Sequence, residues 1–279
     1  MSVEVVLRAV AAFAECPTWD TADGTLLWVD MNRSEVHRLC PRDGTDTVLR
    51  FEQPVAAAKP RAGGLVLSMR DGVSVLESDG SLRSLTDWSE EGVRGNDAGV
   101  DGRGRLWVGT MAGPSAPGWL GRVSLQGETH RALSGTRLSN GIAWSPDGRR
   151  MYFVDTPTCR IDVLDYDLST GEASNPRPFA ELTGTSGVPD GLCVDADGGV
   201  WVALFRGGAV RRYTPRGMLD QEIRFPAALT TACGFGGADL TDLYVTTARR
   251  ALEHDEPLAG SVFVVPGAGQ GMAPTAFAG

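Results

Sequence analysis

Residues 188–202, Val188-Pro189-Asp190-Gly191-Leu192-Cys193-Val194-Asp195-Ala196-Asp197-Gly198-Gly199-Val200-Trp201-Val202, read as a short strand, a tight turn and a second strand carrying a tryptophan. Asp tolerates turn geometry and Gly supplies positive φ, so Asp197-Gly198 between two apolar runs predicts a hairpin. The same unit is written again at 96–110 (NDAGVDGRGRLWVGT), 140–155 (NGIAWSPDGRRMYFVD), 15–30 (ECPTWDTADGTLLWVD) and 233–246 (CGFGGADLTDLYVT). A degraded sixth copy, 62–68 (AGGLVLS), keeps only the glycine turn and the second strand. The second strands centre near Trp28, Val66, Trp107, Tyr152, Trp201 and Tyr244. They are spaced by roughly 38, 41, 45, 49 and 43 residues, the forty-odd of a propeller blade.

Between the copies lie two further strand-like runs, for example 74–77 with 81–85 and 209–213 with 220–225, joined by turns at Asp79-Gly80 and Arg216-Gly217. Four short strands in each of six repeats predict an all-β, six-bladed β-propeller made of four-stranded blades. A β-sandwich also has many short strands, but nothing in it requires a motif to recur at a blade-like period. An open ring of blades leaves sheet edges exposed. The strand-like segment 3–8 is therefore expected to join the last blade and close the ring, with 261–265 and 273–277 as the last strands of the chain.

Six blades of this size consume all 279 residues, so the expectation is one propeller domain over 1–279. A hydrophobic content of 42% with 22% charged residues suits a large core. The net charge of −9 and the absence of any basic cluster argue against a nucleic-acid partner. No apolar run approaches a membrane span, and the chain opens on no signal-peptide pattern. The five cysteines, Cys16, Cys40, Cys159, Cys193 and Cys233, are odd in number and form no CxxC motif. Reduced thiols in a cytoplasmic protein are expected. Cys16, Cys193 and Cys233 fall within first strands, where cysteine is expected to serve as a small buried hydrophobe. Two segments interrupt the rhythm, the Pro/Gly loop 112–119 and the charged insertion 249–259. Both read as surface excursions of the kind that shape a site's mouth.

Glu15, Asn96, Asn140 and Asp190 stand 13, 11, 12 and 11 residues before the second-strand aromatics Trp28, Trp107, Tyr152 and Trp201. Each therefore opens what should be a blade's innermost strand, and innermost strands surround a central channel. Glu15, Asn140 and Asp190 offer two carboxylates and an amide oxygen, a hard set suited to one divalent ion: Ca²⁺, Mg²⁺, Mn²⁺ or, less selectively, Zn²⁺. Two clustered carboxylates repel and resist desolvation, a conflict that a cation resolves. Any one of these residues alone would be read as a cap of its own strand; three in matching register point to metal. His37, His130 and His254 open no repeat, and no G-x-S-x-G elbow or phosphate-binding loop is present.

The chain resembles the regucalcin (senescence marker protein)/gluconolactonase family of six-bladed propeller lactonases. The resemblance is carried by 14–19 (AECPTW), 94–97 (RGND), 109–111 (GTM), 138–147 (LSNGIAWSPD), 189–191 (PDG), 230–237 (TTACGFGG) and the closing 277–279 (FAG). It implies that Glu15, Asn140 and Asp190 hold the metal, that Asp190 is also the catalytic base, and that Arg94 and Asn96 bind sugar hydroxyls. The sequence departs from some animal members at Pro114, where they carry a further substrate-binding glutamate. The activity expected is hydrolysis of a sugar lactone to its aldonic acid by a monomer, with Met111, Trp119 and Phe205 as pocket walls. The competing expectations are a metal-dependent esterase or organophosphate hydrolase and a non-catalytic calcium-binding propeller.

Overall fold

A buried aspartate opens the inner hairpin turn in the first, third and fifth blades and shows why that form of the repeat recurs. In the computed structural model, which describes residues 1–124, 126–184, 186–249 and 256–279, Asp195 accepts the backbone N–H of Asp197 at 3.0 Å and of Gly199 at 2.7 Å. Gly198 sits at φ +80°, the left-handed region that favours glycine. The second Asp195 oxygen accepts the indole N–H of Trp201 at 2.8 Å and Nε of Arg212 at 2.7 Å. Asp101 does the same work two blades earlier, accepting the N–H of Arg103 and Arg105, Nε of Arg105 at 2.6 Å and the Tyr166 hydroxyl. Each aspartate is buried with its charge paired and its lone pairs filled, which is what makes burying it tolerable.

Six four-stranded antiparallel sheets follow. Their inner strands, in chain order, are Ala14–Asp20, Val55–Arg61, Arg94–Val100, Ser139–Trp144, Val188–Val194 and Thr230–Gly236. Each packs against its two neighbours around one axis, the sixth against the first, so the molecule is a closed six-bladed β-propeller. The N-terminal strand Glu4–Leu7 pairs antiparallel with Val262–Val265 and forms the outer edge of the sixth blade. Chain ends thus close the ring, as the edge-strand argument requires.

The second-strand aromatics fill the space between blades. Trp28, Trp107, Tyr152, Trp201 and Tyr244 are all essentially inaccessible. Trp201 meets Phe235 of the next blade edge-to-face at 5.7 Å, and Tyr244 stacks on Trp19 across the closing seam at 5.8 Å. Truncating such a residue costs roughly 3–5 kcal/mol, so the repeated aromatic is the mortar of the ring.

Two sequence expectations are corrected. The degraded copy at 62–68 belongs to a complete blade, with strands Val55–Arg61, Gly64–Met69, Gly72–Leu76 and Leu82–Asp87; its inner strand opens on Val55 rather than a polar residue. Residues 273–277 are not a blade strand. They belong to a tail, 270–278, that runs across the channel mouth, with Ala196 N–H donating to the Gln270 carbonyl at 2.7 Å, Phe277 N–H to Pro60 at 2.8 Å and Ala278 N–H to Gly104 at 2.9 Å. Their backbone groups are satisfied by several blades in turn, so no ladder forms. Within the charged insertion, 250–255, including His254, lie outside the described residues.

Candidate functional site

A one-residue β-bulge stands at the head of four inner strands; Asn96, Asn140 and Asp190 lie within their bulges, and Glu15 is the paired residue immediately before its own. Glu15 pairs with Val29 and Thr18 with Leu27, three residues against two. The same offset separates Gly95 from Ala98, Ser139 from Ile142 and Pro189 from Leu192. A bulge bends its strand and re-aims the extra side chain. Glu15, Asn96, Asn140 and Asp190 are each turned to one mouth of the channel, buried in the convergence of strands.

That convergence explains the glycines following two of them. A Cβ on Gly141 would stand 2.5 Å from the Leu192 side chain, and one on Gly191 2.4 Å from Cβ of Ala232. The Asn-Gly and Asp-Gly pairs here are therefore packing devices where inner strands approach, not turn residues.

The amides form a chain. Asn96 Nδ2 donates to the Ser139 carbonyl at 2.8 Å and to Oδ1 of Asn140 at 2.7 Å. Asn140 Nδ2 donates to Thr156 Oγ1 at 2.7 Å, and the Thr156 hydroxyl donates to the Pro189 carbonyl at 2.9 Å. Asn140 Oδ1 keeps a second lone pair. Of the carboxylates, Glu15 accepts the N–H of Cys16 at 3.1 Å; that of Asp190 accepts no hydrogen bond from any described residue. Burial, then the charges of Asp190 and Asp97, raise Glu15 well above its ordinary 4.5. Burial and the Asp97 charge raise Asp190 above its ordinary 3.8. Two buried carboxylates raised by burial and by neighbouring acids, with no ion pair to a described residue, fit a cation between them. The fit is to an oxygen-preferring ion, because the third donor is an amide; no group of three or more His, Cys, Asp or Glu converges among the described residues.

Arg94 opens the third inner strand beside Met111, its cross-strand partner. Its Nε lies 3.0 Å from Met111 Sδ and its Nη1 3.4 Å from Met31 Sδ. It makes no salt bridge with a described residue, and burial alone lowers its pKa. A half-buried guanidinium resting on two thioethers is free to meet oxygens of a ligand. Phe205 is half-buried at the same rim, paired with Val188 and stacked on Phe13 at 6.0 Å. Trp119 is a correction. Only 2% exposed, it meets Trp88 edge-to-face at 5.3 Å and donates its indole N–H to Glu91 at 3.2 Å, so it packs the blade and offers no face to a ligand. Pro114 is exposed in the loop beyond Met111.

Sequence reasoning missed Met31, Thr156 and a second layer beneath the carboxylates. There Lys59 Nζ donates to Cys16 Sγ at 3.0 Å and to Thr18 Oγ1 at 2.9 Å, and the Cys16 thiol reaches Asp97 Oδ1 at 3.6 Å. The Cys16 sulfur is thus a polar partner rather than an inert hydrophobe. Lys59 could have drawn notice as a lysine directly after the apolar run Val55-Ala56-Ala57-Ala58 of an inner strand; nothing in the sequence marks Thr156. A cavity of about 390 Å³ lies at the opposite mouth, where inner strands end.

A closed six-bladed propeller with a carboxylate–amide pocket and an unpaired guanidinium at one mouth defines a class of ring proteins with an axial site. The chain belongs to the SMP-30/gluconolactonase/LRE-like family, whose description matches residues 13–249. Among its relatives, regucalcin of Xenopus laevis is 35% identical, covering 100% of this chain and 99% of that protein. The putative sugar lactone lactonase YvrE of Bacillus subtilis (strain 168) is 36% identical, covering 96% of both. A solved structure described as a calcium-binding protein, regucalcin from Agrobacterium tumefaciens, superposes with a TM-score of 0.93 at 29% identity, covering 99% of this chain and 97% of that one. The fold read from the repeat and the family read from the motifs are both borne out. The family is lactonase-like, and no helix among the described residues is long and apolar enough to cross a membrane.

Proposed function

We propose that this protein hydrolyses a sugar lactone to its aldonic acid with the aid of one divalent metal ion. The observation that carries the reading is the meeting, at one channel mouth, of two buried carboxylates with raised pKa values, an oriented amide oxygen and a guanidinium without an ion pair among the described residues. Glu15, Asn140 and Asp190 would hold the ion, which when bound supplies Lewis acidity toward the lactone carbonyl. Calcium, magnesium, manganese and zinc are all compatible with such a set; the Agrobacterium relative's description favours calcium.

Asp190 is the general base. Its carboxylate accepts no protein hydrogen bond, and burial makes it more basic than a solvated aspartate, so it can take the proton of an attacking water. Addition of that water and cleavage of the ring C–O bond give the free acid and a hydroxyl group. Arg94 and the free Oδ1 of Asn96 orient ring hydroxyls, while Met111 and Phe205 border the entrance. With Pro114 where some relatives carry a glutamate, the substrate must be one that does without that contact.

The test is acid release from a panel of aldonolactones, followed with a pH indicator. Metal-stripped protein receives Ca²⁺, Mg²⁺, Mn²⁺ or Zn²⁺ in turn, beside an Asp190→Ala control. Metal-dependent release lost in the control supports the reading and names ion and sugar. Release no faster than the spontaneous rate on every lactone overturns it, in favour of aryl esters, phosphotriesters or a calcium-binding role without catalysis.

A further inference from the structure

The opposite mouth of the channel holds a second, chemically different constellation. Its cavity is walled mainly by apolar side chains, among them Ile142, Leu192, Val194, Phe235 and Met272, and lies against the C-terminal tail. Cys193 and Cys233, on the inner strands of the fifth and sixth blades, share its wall with sulfurs 3.8 Å apart and unbridged. Two thiolates bound to one tetrahedral ion at about 2.3 Å stand about 3.8 Å from each other. The two strands thus already hold the sulfurs at the separation a shared ion requires.

We propose that Cys193 and Cys233 form a two-thiolate site for a thiophilic d¹⁰ cation, Zn²⁺ or Cd²⁺, separate from the oxygen-donor set at the other mouth. On loading, each S–H gives its proton to solvent and each sulfur forms one bond to the ion, with no change in sulfur oxidation state. A lone thiolate is costly in an apolar wall, but one dication with two thiolates is neutral and suits it. Lys59, which also lines the cavity, is engaged with Cys16 and Thr18 and does not compete for the sulfurs. The cavity side is left for water or an incoming ligand to complete the coordination. Sulfur donors select soft ions, so calcium and magnesium pass this site by.

Full-length, reduced, metal-stripped protein titrated with Co²⁺, and separately with Cd²⁺, reads the site directly. A sulfur-to-metal charge-transfer band saturating with one ion, and absent with Ca²⁺, is expected. Cys193→Ser and Cys233→Ser should each abolish the band, while Glu15→Gln should keep it. A wild-type titration with no band, or a band surviving in both serine variants, overturns the proposal. The wild-type protein gives a second reading that needs no variant. Alkylation of Cys193 through the cavity, mapped by mass spectrometry, should slow at least tenfold with saturating Cd²⁺; an unchanged rate overturns the site.

Discussion

Thr156 decides which way the Asn140 amide faces. Because the threonine hydroxyl donates to the Pro189 carbonyl at 2.9 Å, its oxygen can only accept from Asn140, and Nδ2 fills that role at 2.7 Å. Oδ1 is thereby turned toward Asn96 and the channel. Thr156 opens the short 3-10 turn Thr156–Thr158 within the fourth blade, and its hydroxyl reaches the neighbouring inner strand one residue before Asp190, so one hydroxyl couples two of the three proposed ligands.

Thr156→Val should therefore weaken divalent-ion binding by about 10–100-fold, the usual cost of losing a residue that orients a ligand. The lost buried hydrogen bonds should lower stability by only about 1–3 kcal/mol. Calorimetric titration with Ca²⁺ beside a thermal melt separates the two. Unchanged affinity would remove Asn140 from the ligand set.

Stability should depend on pH in an unusual direction when metal is absent. Glu15 and Asp190 have folded pKa values raised above their ordinary 4.5 and 3.8, chiefly by burial. Above those ordinary values the folded protein holds protons that the unfolded chain has released. The pair's stabilising contribution is thus complete at low pH and is lost as pH rises through the folded values. Melting temperature in chelator should fall as pH rises above the carboxylates' ordinary values, and saturating Ca²⁺ should flatten that fall. A chelated melt that rises with pH throughout this window would show the pair is not repelling.

How much of this the sequence displayed follows from what repeats. Asp195, Trp201 and their counterparts recur because most blades use a similar turn and the same aromatic mortar, so the period announced the fold. Glu15, Asn140 and Asp190 were legible because their registers matched. The bulges that aim them were not, since a single extra residue is hidden when turn lengths vary from blade to blade. Trp119 misled because a tryptophan beside a Pro/Gly loop looks like a pocket wall, whereas Glu91 and Trp88 draw it into packing. Lys59, Cys16 and Thr156 act through contacts between blades, which no local pattern records.

Gly191→Ala is a test of the convergence itself. Its Cβ would come 2.4 Å from Cβ of Ala232 and 2.8 Å from its Cα, so neighbouring inner strands must part. A loss of about 1–3 kcal/mol is expected, read by denaturant unfolding. A neutral substitution would mean that the strands can separate freely at the axis.

Arg94→Met should raise KM for a lactone at least tenfold with a smaller effect on kcat. Among the described residues the guanidinium makes polar contact with Met111 and Met31 and with no carboxylate, so its removal should leave the fold intact. An arginine that orients ring hydroxyls acts on substrate and transition state alike, which appears in KM. Steady-state kinetics on the lactone chosen by the panel decide it, and an equal fall in kcat would place Arg94 at the reacting carbonyl.

Asp190→Asn should move activity and stability in opposite directions. As the proposed base, the carboxylate contributes about 10²–10⁴-fold to the rate, and the amide cannot take a proton from water. As a buried charge facing Glu15, the same carboxylate destabilises the metal-free fold at neutral pH, and its neutral isostere relieves that repulsion. The variant should melt higher than wild type in chelator, lose most of its gain from added Ca²⁺, and open lactones no faster than background. Lower melting together with lost activity would point to a structural defect and leave the base unassigned. Higher melting with full activity would assign proton removal to another group, and with it the reason for burying a second carboxylate at the axis.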